Sequence, residues 1–269
     1  MGKITLTQEK ETLLIPLYGK AMDYQAKNSL LGDKKAAEIV SRIDYDFSRL
    51  NIQNKTNLMM CMRAGMLDDI TKEYLGTQKN SLVLHLGCGL DSRCIRAGQK
   101  AAAWYDVDFP EVIEIRKAFF AETKTYHLVG SSVTQAGWIE TIPNSFENVL
   151  VIAEGLMMYL KEAEIKTLIS RLKSRFSSFE MVMDVYSRLT AKSAKNHPSI
   201  KKTGVNEFWG MDDPKTLETW NLGMAHQRTV YFTEYNLERL KPADRRIFSL
   251  ANRFKLAKNA HRIEMYRVG

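Results

Sequence analysis

Apolar residues recur along this chain with two different periods. Residues 1–80 carry the helical one. Ala36, Ala37, Ile39, Val40 and Ile43 follow Gly32-Asp33 at helical spacing. Leu58, Met59, Met62, Met66, Leu67 and Ile70 predict a second helix over 56–74, with Gly76 as its stop signal. From residue 82 the pattern changes to short apolar runs bounded by turn residues, at 82–86, 101–105, 126–129, 149–153 and 181–186. Runs of this kind fit strands buried on both faces of a parallel sheet. Helical stretches alternate with them: 111–121 after Pro110, a short helix or turn over 133–139 around Trp138, and 161–176 with Ile165, Leu168, Ile169 and Leu172 inward. Strand and helix alternating at this spacing predict an α/β fold with a parallel, doubly wound sheet.

Residues 187–224 break the rhythm. They hold Asn196, His197, Pro198, Gly204, Gly210 and Pro214, with Phe208, Trp209 and Trp220 between them, and read as a functional insertion. A sixth strand is expected at 229–232, a helix capped by Thr233 and running to Leu240, and an alternating edge strand at 262–268. The expected organisation is one domain: a helical cap (1–80), a nucleoside-binding core (81–186), a lid insertion (187–228) and C-terminal strands and helix (229–269).

Charge and cysteine content narrow the function classes. Lys and Arg number 39 against 31 Asp and Glu, so the chain is basic, but the positives are scattered and no nucleic-acid partner is expected. No run of about 18 apolar residues occurs, so no membrane partner is expected. The first residues lack a signal-peptide core. Cys61, Cys88 and Cys94 show neither metal spacing nor a disulfide framework. No metal site is expected, and a cytoplasmic location is.

The chemistry concentrates in 82–108, LVLHLGCGLDSRCIRAGQKAAAWYDVD, which reads strand, glycine turn, helix, strand, acid. Gly87 and Gly89 can take positive φ and admit a ligand to the backbone. An acid at the end of the second strand can hold a ribose through its two hydroxyls, with Asp108 the first choice and Asp106 the fallback. Asp91, at the helix start, would repel a pyrophosphate. S-adenosylmethionine (SAM) carries an ammonium and a sulfonium and no phosphate, so charge favours it over a dinucleotide. A tight turn in an ordinary α/β protein gives the same local pattern. More telling is the common location of Asp91, Asp108, Ser131-Ser132 and Glu154 after successive strands, where open parallel sheets bind ligands.

These stretches resemble the leucine carboxyl methyltransferase family, which includes tetracenomycin-type polyketide O-methyltransferases. The matching segments are MRAGMLDD at 62–69, LHLGCGLDSR at 84–93, WYDVDFPEV at 104–112, VGSSVTQAGW at 129–138 and AEGLMMYL at 153–160, in the family's order. The resemblance implies a Rossmann-like, SAM-dependent methyltransferase fold, whose mostly parallel seven-stranded sheet has an antiparallel last strand, with S-adenosylhomocysteine (SAH) as product. It assigns Arg63 to the methionine carboxylate of SAM, Gly87, Cys88 and Gly89 to the turn beside the methionine moiety, Asp108 with Phe109 to the ribose end, and Glu154 to the ligand's edge. Ser132-Val133 stands where relatives commonly have Asp-Leu at the adenine amino group; a serine hydroxyl can accept the same bond. Lys20 sits where many relatives have arginine.

The implied activity is O-methylation of a carboxylate or hydroxyl on a small, polyketide-like or aromatic acceptor. Methylation of a protein C-terminal carboxylate and non-catalytic SAM binding are the alternatives. Aromatic residues of the cap and insertion, Tyr18, Tyr24, Tyr45, Trp209 and Trp220, are the candidate acceptor pocket, or equally the core of those elements. His85, His127, His197 and His226 are candidate bases that sequence does not separate, although His85, inside a strand, fits a buried structural role. Nothing here fixes the oligomeric state.

Overall fold

The computed structural model of the chain describes residues 4–5, 11–194 and 208–269. Seven strands form one sheet: β1 (Ser81–Leu86), β2 (Ala103–Asp108), β3 (Tyr126–Gly130), β4 (Asn148–Ala153), β5 (Phe179–Tyr186), β6 (Met224–Tyr231) and β7 (His261–Val268). Their order is β3-β2-β1-β4-β5-β7-β6. The first five pair in parallel, and β7 is antiparallel to both β5 and β6. This is the mostly parallel sheet with an antiparallel last strand that the family resemblance implies.

The sheet reads clearly in sequence because both faces are covered. Leu82, Leu84 and Leu86 of β1 join a cluster with Ile165, Leu168, Ile169 and Leu172 of the helix Glu162–Arg175. The alternate residue Val83 faces Met66, Ile70, Phe232 and Phe248. The helical cap precedes the sheet as α1 (Glu11–Gln25), α2 (Lys34–Arg42) and α3 (Asn54–Thr77). Asp33 caps α2 by accepting from the Ala36 N–H at 2.9 Å. Leu14, Leu17 and Ile39 of the cap close on Leu90, Phe119 and Phe120 of the core.

Several expectations need correction. The last strand is not an edge: β7 lies between β5 and β6, and β6, longer than expected and kinked between His226 and Arg228, is the edge. The polar residues that make β7 look like an edge, Arg262 and Glu264, are buried against each other, with Glu264 also accepting from Thr229. No helix runs from Thr233 to Leu240. Asn236 takes φ 45° and divides the stretch into two short 3₁₀ turns, while the Thr233 hydroxyl bonds Asn252 at 3.0 Å. Gly76 does not end α3, which continues to Thr77. The helix after Pro110 stops at Lys117, and Phe119 and Phe120 turn inward beyond it. Asn196, His197, Pro198 and Gly204 lie outside the described residues.

One buried carboxylate organises the β1–β2–β3 end of the sheet. Asp106 accepts from Trp104 Nε1 at 2.8 Å and from the Tyr126 hydroxyl at 2.5 Å, faces His85 Nδ1 at 3.0 Å, and pairs with the Arg116 guanidinium. Arg116 also donates to the Gly89 carbonyl at 3.0 Å, so the pair props the glycine turn from below. With every direction around it taken, Asp106 cannot meet a ribose, and the fallback assignment is excluded. Burial would raise its pKa, but Arg116 and the hydrogen bonds hold it down to about 2. A carboxyl whose folded pKa is depressed stabilises the fold above its unfolded value and loses that contribution as pH falls through the folded one. Stability should therefore decline between about pH 4 and pH 2 as this group protonates. Asp106→Ala strands the Arg116 charge and should cost about 3–5 kcal/mol. Urea unfolding at neutral pH checks this; a loss under 1 kcal/mol would show that the cluster does not hold the sheet end together.

Candidate functional site

The carboxyl ends of β1, β2, β3 and β4 lie together at one end of the sheet, the place where open parallel sheets form a ligand crevice. After β1 the chain turns through Gly87 and Gly89, with φ of 63° and 51°. A Cβ on Gly87 would come within 3.1 Å of Leu156, so both the backbone sign and the space there require glycine. Cys88 between them is buried, and that burial pushes its thiol well up, so the thiol is not a poised nucleophile.

Asp108 ends β2. Its carboxylate accepts from the Gly89 N–H at 2.7 Å and the Phe109 N–H at 2.8 Å, which locks the glycine turn to the second strand. Burial raises its pKa, and these two bonds offset part of that. Two bonds leave a carboxylate further acceptor capacity. Phe109 beside it is 53% exposed, a bare aromatic face at the mouth. After β3, the Ser132 hydroxyl lies 2.8 Å from that of Thr134, while the Val133 side chain is buried in the core. Only the backbone of Val133 is left for a ligand.

Glu154 follows β4 and sits between two guanidiniums, 3.0 Å from Arg63 Nε and 2.5 Å from Arg93 Nη2. Arg63 comes from α3 of the cap, and its Nη1 reaches Asp184 at 3.1 Å. Its Nη2 makes no hydrogen bond to a described residue. Burial would raise the Glu154 pKa, yet Lys20, Arg93 and Arg63 hold it well below the usual carboxylate range. Asp184 is likewise depressed: burial opposes ionisation, and Arg63, His261 and the Gly155 N–H outweigh it.

The network continues to Arg93 and Arg96, which the sequence alone did not single out, and on to Lys20 and Asp91. Arg93 is fully buried and also bonds Asp68 at 2.8 Å. Arg96 bridges Asp33 at 2.5 Å, Asp68 at 2.6 Å and Asp91 at 3.1 Å. Lys20 of α1 pairs with Asp91 and lies 4.0 Å from Glu154. Asp91 is thus ion-paired on two sides and accepts from the Arg93 N–H at 2.6 Å. The expectation that it presents free negative charge at the helix start does not hold, and the charge argument against a phosphate goes with it.

Of the histidines, His85 is buried between Asp106 and Arg93, as expected of a structural residue. His127 stacks on Tyr105 at 4.4 Å, and His226 faces Glu264 on the far edge strand. Neither stands at the crevice. A fifth, His261 at the start of β7, does reach this end of the sheet, 2.8 Å from Asp184. Burial lowers its pKa more than Asp184 raises it. Tyr18 stacks on Phe47 at 4.9 Å, with Tyr45 edge-on to the same ring at 5.3 Å. Tyr24 on α1 is exposed. The Trp209 backbone N–H donates to the Met158 carbonyl, while the Trp220 ring lies 6.3 Å from the Trp209 ring under Lys166. Tyr159, T-shaped against Phe208 at 5.5 Å, is a crevice-edge aromatic that sequence alone did not pick out. Among the described residues no cluster fit to hold a metal occurs, and no helix is long and apolar enough to cross a membrane.

Comparison with known proteins places the chain in a family. The leucine carboxyl methyltransferase family model matches residues 14–173. The chain is 37% identical over 229 residues to the tetracenomycin polyketide synthesis O-methyltransferase TcmP of Streptomyces glaucescens, covering 84% of each chain. It is 30% identical over 253 residues to the SAM-dependent methyltransferase dpfgK of Gibberella zeae, covering 86% of this chain and 84% of that one. Among solved structures, the SAM-dependent methyltransferase from Mesorhizobium loti superposes with a TM-score of 0.53 at 12% identity, covering 76% of this chain and 97% of that one. The N-methyltransferase NodS from Bradyrhizobium japonicum in complex with SAH gives 0.50 at 11% identity, covering 88% and 99%. These two show the fold alone. The family match spans more than half of the chain and runs through both the cap and the crevice, and the chain belongs to the leucine carboxyl methyltransferase family of SAM-dependent methyltransferases.

Proposed function

We propose that the chain transfers a methyl group from SAM to a carboxylate or hydroxyl oxygen of a small, polyketide-like or aromatic acceptor. The observation that carries this is the crevice itself: a glycine turn locked to Asp108 on one side and a guanidinium held by Glu154 on the other, in a chain similar to a polyketide O-methyltransferase. Asp108 would accept from the ribose hydroxyls with its unused lone pairs, beside Phe109. Gly87, Cys88 and Gly89 would present backbone to the methionine moiety. Ser132 and the Val133 backbone would face the adenine. Arg63 would meet the methionine carboxylate through Nη2, and Glu154 would act by holding Arg63 in place. When bound, SAM supplies the electrophilic methyl carbon; the chain's work is to orient the partners and exclude water.

Tyr18, Tyr24 and Trp209 are the proposed acceptor contacts, with residues 1–80 as cap and 187–228 as lid. A carboxylate acceptor needs no base, whereas a hydroxyl gains from one. The described residues offer no histidine open to the crevice other than His261, which is committed to Asp184. That favours an acceptor already ionised at neutral pH. The test is methyl transfer measured by mass spectrometry on matched aromatic carboxylic acids and phenols. Turnover of the acids, level from neutral to alkaline pH, supports the reading; turnover of phenols alone, rising with pH, would contradict the carboxylate preference.

Two cofactor predictions follow from the same geometry. Arg63→Ala should weaken SAH roughly ten- to a hundredfold, the range for one charge-assisted pair, and Arg63→Lys should recover only part, because an ammonium lacks the planar fork. Isothermal titration checks this, and wild-type affinity in Arg63→Ala would remove Arg63 from the cofactor site. Asp108→Asn should weaken SAH while leaving the unfolding midpoint near wild type. Asp106→Asn should do the reverse, lowering the midpoint more than it lowers affinity in protein that is still folded. Identical profiles for the two variants would erase the distinction drawn between them.

A further inference from the structure

Beyond the crevice, the C-terminal helical segment carries an unusual surface. Two short helices, Pro242–Ala251 and Lys255–Asn259, stand between β6 and β7. The first buries Phe248 against the sheet and turns Ile247 and Leu250 outward, 51% and 57% exposed. Phe254 and Leu256 follow at 60% and 76%. Ile247 and Leu250 lie three apart on the first helix, and Phe254 and Leu256 flank the start of the second, so four exposed large apolar groups fall within ten residues of chain.

Charge surrounds these groups. Residues 239–258 contain seven Lys or Arg and one Asp, so this segment alone carries a net +6 of the chain's +8. Lys258 pairs with Glu234, and Arg239 donates to the Ser29 carbonyl. Lys241, Arg245, Arg246, Arg253 and Lys255 are exposed and form no side-chain ion pair or hydrogen bond among the described residues. Large aliphatic and aromatic side chains projecting among unpaired cations are the pattern of a helix that lies on an anionic lipid surface, apolar side in and Lys/Arg at the headgroups. A second copy of the chain would bring two such cationic surfaces together, which charge opposes. Nucleic acid would satisfy the cations and gain little from Leu250 and Leu256. A protein partner would need a preformed pocket for four projecting side chains, which a fluid acyl layer does not.

We propose that this segment, residues 239–258, docks the enzyme on anionic membrane surfaces. The expectation of no membrane partner rested on the lack of a spanning run, and surface docking needs none. The Ser187 N–H donates to the Ala260 carbonyl, and His261 pairs with Tyr186, so the segment returns to the sheet at the same edge as the crevice. A docked enzyme would hold its crevice edge near the lipid, suited to an acceptor that partitions into it.

The test is flotation of the full chain with vesicles of phosphatidylcholine plus phosphatidylglycerol, and of phosphatidylcholine alone. Binding should appear with the anionic vesicles, fall steeply with added salt, and be weak on the neutral ones. Arg245→Gln and Arg246→Gln should each weaken it roughly fivefold. Phe254→Ser with Leu256→Ser should abolish it while SAH affinity stays unchanged, since these side chains touch neither crevice nor core. No flotation with anionic vesicles at low salt would overturn the proposal. So would flotation indifferent to both sets of changes, binding to soluble polyglutamate in place of vesicles, or self-association by sedimentation that Phe254→Ser with Leu256→Ser removes.

Discussion

Four cations and five carboxylates are buried where the helical cap meets the open end of the sheet. Lys20, Asp33, Arg63 and Asp68 come from the cap; Asp91, Arg93, Arg96, Glu154 and Asp184 come from the core. Most of the rest of the structure depends on this junction. A buried charge is tolerable only when paired and hydrogen-bonded on all sides, and no buried side-chain nitrogen or oxygen among the described residues lacks a partner. Such a network does not tolerate sliding. Where an apolar interface between cap and core could repack, a junction in which each guanidinium bonds at least two carboxylates fixes the cap's position. The group delivered by that fixed position is Arg63.

The network also separates the roles of carboxylates that look alike in sequence. Asp106 and Asp108 lie two residues apart on one strand and one face. Asp106 is spent on Arg116, Trp104 and Tyr126 and supports the turn from beneath, whereas Asp108 holds the turn by two backbone bonds and keeps acceptor capacity. Glu154, just after β4, and Asp184, within β5, both accept from Arg63. On the proposed reading, a ligand carboxylate arriving at Arg63 would meet a guanidinium whose Nε and Nη1 are already fixed. Less freedom remains to be lost on binding, which is how preorganisation raises affinity.

Legibility in the sequence followed burial and periodicity. The strands of the parallel sheet were readable because Leu82–Leu86 and Val149–Ala153 are covered on both faces and carry almost no polar residue to confuse the pattern. Gly87, Gly89, Asp108 and Glu154 were legible from their place after strands. Arg93 and Arg96 were not, because an arginine on a short helix reads as a surface residue until the carboxylates that bury it are known. Asp91 misled for the same reason in reverse, its charge being cancelled by Lys20 from a helix about seventy residues earlier. The β7 strand looked like an edge because Arg262 and Glu264 alternate with apolar residues, and only their mutual pairing reveals that they are interior. The failed helix over 233–240 turned on the left-handed conformation of Asn236, which asparagine adopts more readily than most residues. For Arg93, Arg96 and Asp91 the missing information was a partner distant in sequence.

The central claim is that Glu154 serves the cofactor through Arg63. A double-mutant cycle on SAH affinity, using Arg63→Ala, Glu154→Gln and the pair, tests it most directly. If Glu154 works by holding the guanidinium, removing Arg63 first leaves Glu154 little to contribute, and the double variant should bind SAH about as weakly as Arg63→Ala alone. Losses that add in full would contradict the account, showing that Glu154 reaches the cofactor on its own.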